Sequence, residues 1–113
     1  LRCLVGSEMC IRDRWWIRPK ETTPMSSSLI VAAADALPPP IFFQSDKIKI
    51  APTIDLTIHV RVDIDSVQWN GASWLLAEFV TNHASGGFIE EDGLIWNDAG
   101  TLICMSRQLA LAR

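Results

Sequence analysis

The stretch Thr23–Leu37 reads TPMSSSLIVAAADAL and predicts one helix around which the rest of the chain is organised. Thr23 is a suitable N-cap, and Pro24 suits the first helical position because the N–H that it lacks has no partner there. The prolines at positions 38–40 end the helix, since proline cannot continue it. Apolar residues at helical spacing spread over several faces, so we expect neighbouring elements to cover most of the helix.

Asp35 is the unusual residue of this predicted helix. A carboxylate in the last turn opposes the helix dipole, and burial among alanines would raise its pKa unless a partner stabilised the charge. The residues alone leave two interpretations open. Asp35 is either a solvated residue on an exposed edge of the helix or a catalytic acid or base.

Composition limits the class of protein. A chain of 113 residues has room for one domain with one core. The 10 Lys and Arg against 13 Asp and Glu give a net charge of −3, and the basic residues are scattered, which argues against a nucleic acid partner. The sequence has no apolar run near the ~20 residues that span a membrane. We therefore expect no nucleic acid partner and no membrane partner, and we predict a cytoplasmic location.

Cysteine spacing gives no metal site or disulfide framework. The three cysteines, Cys3, Cys10 and Cys104, have neither paired nor metal-ligand spacing, and the sequence calls for no cofactor. His59 and His83 also lack ligand spacing, and we interpret both as surface or interface residues.

Residues 1–14, LRCLVGSEMCIRDR, have no clean period of 2 or 3.6. They resemble the short read-through peptide that sequencing adapters leave in assembled genes. We therefore predict a non-native leader over residues 1–14 and a single domain over 15–113, with a native N-terminal part missing.

The second half of the chain predicts strands. Ile54, Leu56, Ile58, Val60 and Val62 alternate with polar residues and predict one apolar strand face. The turn signals are Asn70-Gly71, Gly86-Gly87 and residues 97–100. The predicted order is a short strand (15–18), the helix, then four long strands in an antiparallel meander (53–62, 72–83, 88–96 and 101–111). A sheet of this kind buries itself and an apolar helix by curling around the helix, so the predicted class is α+β with a hotdog fold.

Several of these segments, in order along the chain, carry a resemblance to a known family. They are AADALPPPIF around Asp35, APTIDLT at 51–57, SGGF at 85–88 and GTLICMSRQ at 100–108. Together they resemble the C-terminal hotdog repeat of type II acyl-CoA thioesterases, the TesB-like double-hotdog group. The resemblance covers about residues 15 to 112.

The resemblance implies a function and three catalytic residues. In that family an Asp near the end of the central helix, a Thr or Ser at the start of the next long strand and a Gln in the last strand activate a water that attacks the thioester. The matching positions are Asp35, Thr53 and Gln108. The implied substrate is acyl-CoA, and the implied reaction is hydrolysis to fatty acid and CoA.

The chemistry needs residues of these types. A carboxylate with a raised pKa can act as general base, and a hydroxyl and an amide can orient a water molecule because each both donates and accepts hydrogen bonds. The residues alone favour Thr53 as a β-branched residue that begins a strand, and only the resemblance gives it a catalytic role. Gln108 shares a predicted face with Cys104 and other small residues, which favours a buried amide with a partner.

Other polar residues receive structural interpretations. Cys104 and Ser106 have no paired base, so we interpret them as small packing groups. The run at 90–93, EEDG, is interpreted as a bulge in an exposed strand rather than as a group that repels coenzyme A.

The chain departs from the family pattern in one large respect, since the N-terminal hotdog repeat is absent. The expected partner is that missing repeat or a second copy of the chain in a homodimer. The loop Phe43–Ala51 is also short, and in the family this part of the chain would contribute to the coenzyme-binding surface.

Two alternative functions stay open. One is a non-catalytic or fragmentary hotdog module. The other is a hotdog enoyl-CoA hydratase or dehydratase, although the Asp-x-Asn-Pro-x-His pattern of the hydratases is missing.

Overall fold

The computed structural model describes residues 11–36 and 51–111. In chain order the elements are β1 (Ile11–Ile17), α1 (Ser27–Ala34), β2 (Thr53–Val60), β3 (Leu75–Ser85), β4 (Phe88–Trp96) and β5 (Leu102–Leu111). Among these residues, no helix is long and apolar enough to cross a membrane.

The five strands form one antiparallel sheet in the order β1-β3-β4-β5-β2. The predicted meander therefore holds for β3, β4 and β5 but is wrong for β2, which pairs with β5 rather than with β3. The connection 61–74 is long enough to carry the chain from β2, at one edge of the sheet, past β5 and β4 to β3. The turn predicted at Asn70-Gly71 lies inside this crossover, where the Gly71 carbonyl accepts a hydrogen bond from Thr23 N at 3.1 Å.

The two later turns were predicted correctly. Gly86 and Gly87 have φ angles of +61° and +83°, and they close a two-residue hairpin between Ser85 and Phe88. Glycine suits both positions because a Cβ atom disfavours positive φ. In the next turn, the buried Asn97 side chain accepts hydrogen bonds from Ala99 N (3.1 Å) and from Thr101 N (2.8 Å).

Helix α1 begins later than the sequence predicts. Its N-cap is Ser26, whose hydroxyl accepts a hydrogen bond from Leu29 N at 3.1 Å. Thr23 and Pro24 lie outside the helix, because Thr23 is engaged elsewhere: its carbonyl accepts a hydrogen bond from Trp69 Nε1 at 2.8 Å. The expectation that most sides are covered is also wrong, since Val31 is exposed and the helix packs on one side. Leu37 and the prolines at 38–40 lie outside the described residues.

Strand β1 begins at Ile11, four residues before the predicted start, and pairs with β3 from Ile11↔Thr81 to Ile17↔Leu75. Residues 11–14, which the sequence analysis left outside the domain, thus form part of the sheet. The non-native origin of residues 1–14 stays a prediction.

The core lies between helix α1 and one face of the sheet, which we call the inner face. Its buried members are Ile30, Ala33, Leu75, Ala77, Phe79, Ile95, Ile103 and Cys104. Cys104 is fully buried, and burial raises the pKa of its thiol to about 11. The interpretation of Cys104 as a packing group is confirmed.

Candidate functional site

A hydrogen bond links two of the three predicted site residues. Gln108 Nε2, on β5, donates to the hydroxyl oxygen of Thr53, the first residue of β2. These side chains are 55 residues apart in the sequence. They meet because β2 crosses the sheet to pair with β5, and the register aligns Leu56 with Gln108 and Thr53 with Ala110. Gln108 has a partner, as the sequence predicts, but it is half-buried rather than buried, and Thr53 is exposed.

A bulge in β2 turns Thr53 toward the inner face. Strict alternation would put Ile54 on the same face as Leu56, and Thr53 on the opposite face. The register instead shifts between Thr53 and Asp55, so Ile54 is the extra residue and is 51% exposed. Thr53 then lies opposite Ala110 and on the same face as Leu56 and Gln108. The sequence prediction that Ile54 belongs to the buried stripe is wrong for this reason.

Asp35 is the C-cap residue of α1, and its N–H is hydrogen-bonded to the helix carbonyls of Val31 (3.2 Å) and Ala32 (3.3 Å). It is exposed rather than buried among alanines. Within the described residues, no hydrogen bond joins its carboxylate to Thr53 or to Gln108. Its charge nevertheless acts on a neighbouring acid of the sheet, Glu91.

Glu91 of β4 is the residue that the sequence analysis missed. Its register partner on β5 is Gln108, and only 5% of its surface is exposed. Burial, and secondly the negative charge of Asp35, raise the pKa of Glu91 from 4.5 to about 7. Glu91 therefore lies within the electrostatic reach of Asp35 and in register with Gln108, which is hydrogen-bonded to Thr53.

A signal for Glu91 was present in the sequence. Glu91 has the same strand parity as Ile89 and Ile95, both of which are buried. The interpretation of residues 90–93 as a bulge in an exposed strand is wrong for Glu91. The irregularity lies in β3 instead, where the register shifts between Thr81 and His83.

Three polar residues in register cross the inner face: Thr81 of β3, Glu91 of β4 and Gln108 of β5. We call them the inner row. Thr81 is fully buried, and neither its hydroxyl oxygen nor Glu91 Oε1 has a hydrogen-bond partner among residues 11–36 and 51–111. Buried polar atoms without partners are rare in native proteins, and those that occur tend to have a functional role or to bind water.

The opposite, outer face of the sheet carries a separate cavity of about 520 Å³. Each arginine that lines it lies near a carboxylate: Arg12 Nε is 3.9 Å from Glu78 Oε1, and Arg107 Nε is 3.1 Å from Asp92 Oδ1. His59 is exposed and lines this cavity. Because Asp35, Glu91 and Gln108 belong to the inner side, the cavity is not the predicted water site.

Metal binding receives no support from the described residues, which include no group of three or more His, Cys, Asp or Glu side chains able to hold an ion. His83 is half-buried and shares a 2.7 Å hydrogen bond with the hydroxyl of Ser85. The arrangement on the inner side is therefore one of carboxyl, amide and hydroxyl groups. Such groups can bind and orient a water molecule and accept a proton from it.

Comparison with known proteins supplies a family. The family model described as the acyl-CoA thioesterase C-terminal domain matches residues 10–112. No curated protein matches the chain.

Solved structures confirm the hotdog fold. A protein of unknown function with a hotdog fold from Alicyclobacillus acidocaldarius superposes with a TM-score of 0.83 at 19% identity, over 92% of this chain and 39% of its own. A protein assigned as a thioesterase from Novosphingobium aromaticivorans gives 0.73 at 19% identity, over 91% and 38%. Acyl-CoA thioesterase II TesB2 from Mycobacterium marinum gives 0.71 at 17% identity, over 98% and 45%. The chain thus spans less than half the length of these three proteins.

Proposed function

Because the chain belongs to the acyl-CoA thioesterase C-terminal domain family, we propose that it hydrolyses the thioester of acyl-CoA to a free fatty acid and CoA. The nucleophile is a water molecule that Asp35 activates and that Thr53 and Gln108 orient. The main support is the hydrogen bond between Gln108 and Thr53, two residues that only a crossover and a bulge bring together. Glu91 lies beside Gln108 and senses the charge of Asp35, so the proposed base belongs to the same neighbourhood.

The hydrogen bond has a chemical consequence. Gln108 uses an amide N–H to donate to Thr53, which leaves its own carbonyl oxygen and the Thr53 O–H for a further partner. A water molecule can accept from Thr53 and donate to Gln108 at the same time. Two such bonds fix the direction of the water's lone pair, which lowers the entropic part of the barrier to attack.

In the reaction, the water oxygen forms a bond to the thioester carbonyl carbon while Asp35 accepts a proton from the water. The carbonyl electron pair moves to its oxygen and returns when the C–S bond breaks. The departing thiolate takes the proton from Asp35, so the enzyme returns to its starting state. A general base in this position contributes about 10²–10⁴ in rate.

A partner domain completes the active protein in this proposal. The chain spans less than half of its structural relatives, and both sheet edges carry exposed apolar residues, such as Trp16 on β1 and Val60 on β2. The partner is an N-terminal hotdog repeat or a second copy of the chain. We assign the activity to cytoplasmic fatty acid metabolism.

The test is thiol release from a panel of saturated acyl-CoAs, with Thr53→Val and Gln108→Ala measured beside the parent protein. Each variant should lower kcat by about tenfold or more. The double variant should be little worse than either single one, because the two side chains act as a unit. Thr57→Val is the matched control, since Thr57 is exposed, as Thr53 is, but faces the other side of β2.

Absence of thiol release from every acyl-CoA would contradict the proposal. Equal losses in Thr53→Val and Thr57→Val would contradict the role of the hydrogen-bonded pair. Hydration of an enoyl-CoA without thiol release would point to the hydratase class instead.

A further inference from the structure

The inner row contains two buried polar atoms that have no hydrogen-bond partner within the described part of the chain. Thr81 Oγ1 and Glu91 Oε1 lie on neighbouring strands at paired positions, and neither residue is more than 5% exposed. Thr81 and Glu91 have no part in the water-binding scheme above. Burial disfavours a charge on Glu91, because its carboxylate loses hydration and no hydrogen bond at Oε1 compensates for that loss.

The surroundings of Glu91 include one charge that acts on it. Its register partners, Thr81 on β3 and Gln108 on β5, are neutral, whereas α1 contributes the carboxylate of Asp35. Strand β1 contributes Asp13, one row away opposite Phe79, and that residue is also an acid. All titratable groups that face Glu91 from these elements are therefore acidic, and none of them can stabilise a negative charge on it.

We propose that Glu91 is a positioning residue of the same site, which works as a neutral carboxylic acid while Asp35 carries the single negative charge of the pair. This inference rests on the proposed function and adds a residue to it. In this form Glu91 presents an O–H donor toward the inner row instead of a second anion. A pKa of about 7, raised by burial and by Asp35, agrees with a proton held by Glu91 in acidic solution and lost as the pH rises through neutrality.

The single charge matters because negative charge builds on the thioester oxygen during attack by water. A second anion beside Asp35 would oppose that charge, whereas a neutral acid does not. The proton of Glu91 is not transferred in this scheme. It stays on Glu91 while the proton of the water moves to Asp35 and then to the leaving thiolate.

The proposal predicts a pH dependence that one variant removes. When Glu91 ionises, the fraction of active protein falls, so kcat/KM should be about tenfold lower at pH 8 than at pH 6. Glu91→Gln replaces the acid with a neutral group of the same shape, and its ratio of kcat/KM between pH 6 and pH 8 should be close to one. Glu90→Gln is the matched control, because Glu90 has the opposite strand parity, and its ratio should equal that of the parent protein.

A titration of Glu91 tests its electrostatic interaction with Asp35 without measuring activity. Carbon-13 NMR of the side-chain carboxyls should find Glu91 titrating near pH 7, and Asp35→Asn should lower that midpoint. An unchanged midpoint in Asp35→Asn, or a pH-dependent Glu91→Gln, would overturn the inference. Hydrolysis that depends on Asp35 but not on pH between 6 and 8 would refute only the role of Glu91, whereas a protein without thioesterase activity would refute the proposed function.

Discussion

Replacing Glu91 with Gln should change how the stability of the fold depends on pH. The pKa of Glu91 is raised from 4.5 to about 7, so the folded state binds this proton more tightly than the unfolded state does. The contribution of the group to stability is therefore complete below pH 4.5 and is lost as the pH rises through about 7. Since a tenfold change in proton affinity corresponds to about 1.4 kcal/mol, the full loss is about 3 kcal/mol.

The assay is urea unfolding of the parent protein and of Glu91→Gln at pH 5 and pH 8. Between these two values, the free energy of unfolding of the parent should fall by about 2–3 kcal/mol relative to that of the variant. Glu90→Gln should behave as the parent does, because Glu90 lies on the other side of the strand. The free energy of unfolding of the parent minus that of Glu91→Gln could also be the same at pH 5 and at pH 8. That result would refute the claim that burial and the charge of Asp35 raise the pKa of Glu91.

Three further predictions concern the fold. Asn97→Ala should lower the free energy of unfolding by about 3 kcal/mol, because the buried amide serves two backbone N–H groups of its turn and the carbonyl of Gln68. Gly93→Ala should cost about 1–3 kcal/mol in the same urea assay, because its Cβ would clash with Ser106 Oγ and lie 2.8 Å from the ring of Phe79. Cys104 should resist iodoacetamide at pH 8, by mass spectrometry of its peptide, until urea unfolds the chain, because its buried thiol has a pKa of about 11.

Local signals in the sequence predicted much of the fold. Gly86-Gly87 specifies a two-residue hairpin by its tolerance of positive φ, and the alternating pattern after Thr53 specifies a strand. The partner of that strand could not be predicted in the same way. The choice between β3 and β5 depends on a long crossover and on how the whole sheet closes over the helix, and no local pattern encodes it.

The candidate site depends on details that are still less local. The bulge at Ile54 reverses the side to which Thr53 points, although alternation through Ile54 gives no sign of it. The residues alone left Asp35 open between a solvated residue and a catalytic one; Asp35 is exposed, and the buried acid of the site is Glu91. Its parity with Ile89 and Ile95 was visible in the sequence, whereas its proximity to Asp35 follows only from the packing of α1 on the sheet.

The most direct test of the account is the single-turnover rate of thioester cleavage in Asp35→Asn, with Asp55→Asn as the matched control, since Asp55 is an exposed acid on the other face of β2. We expect Asp35→Asn to lower the rate by about 10²–10⁴ and Asp55→Asn to leave it unchanged. A cleavage rate in Asp35→Asn equal to that of the parent protein would contradict the claim that this carboxylate activates the water.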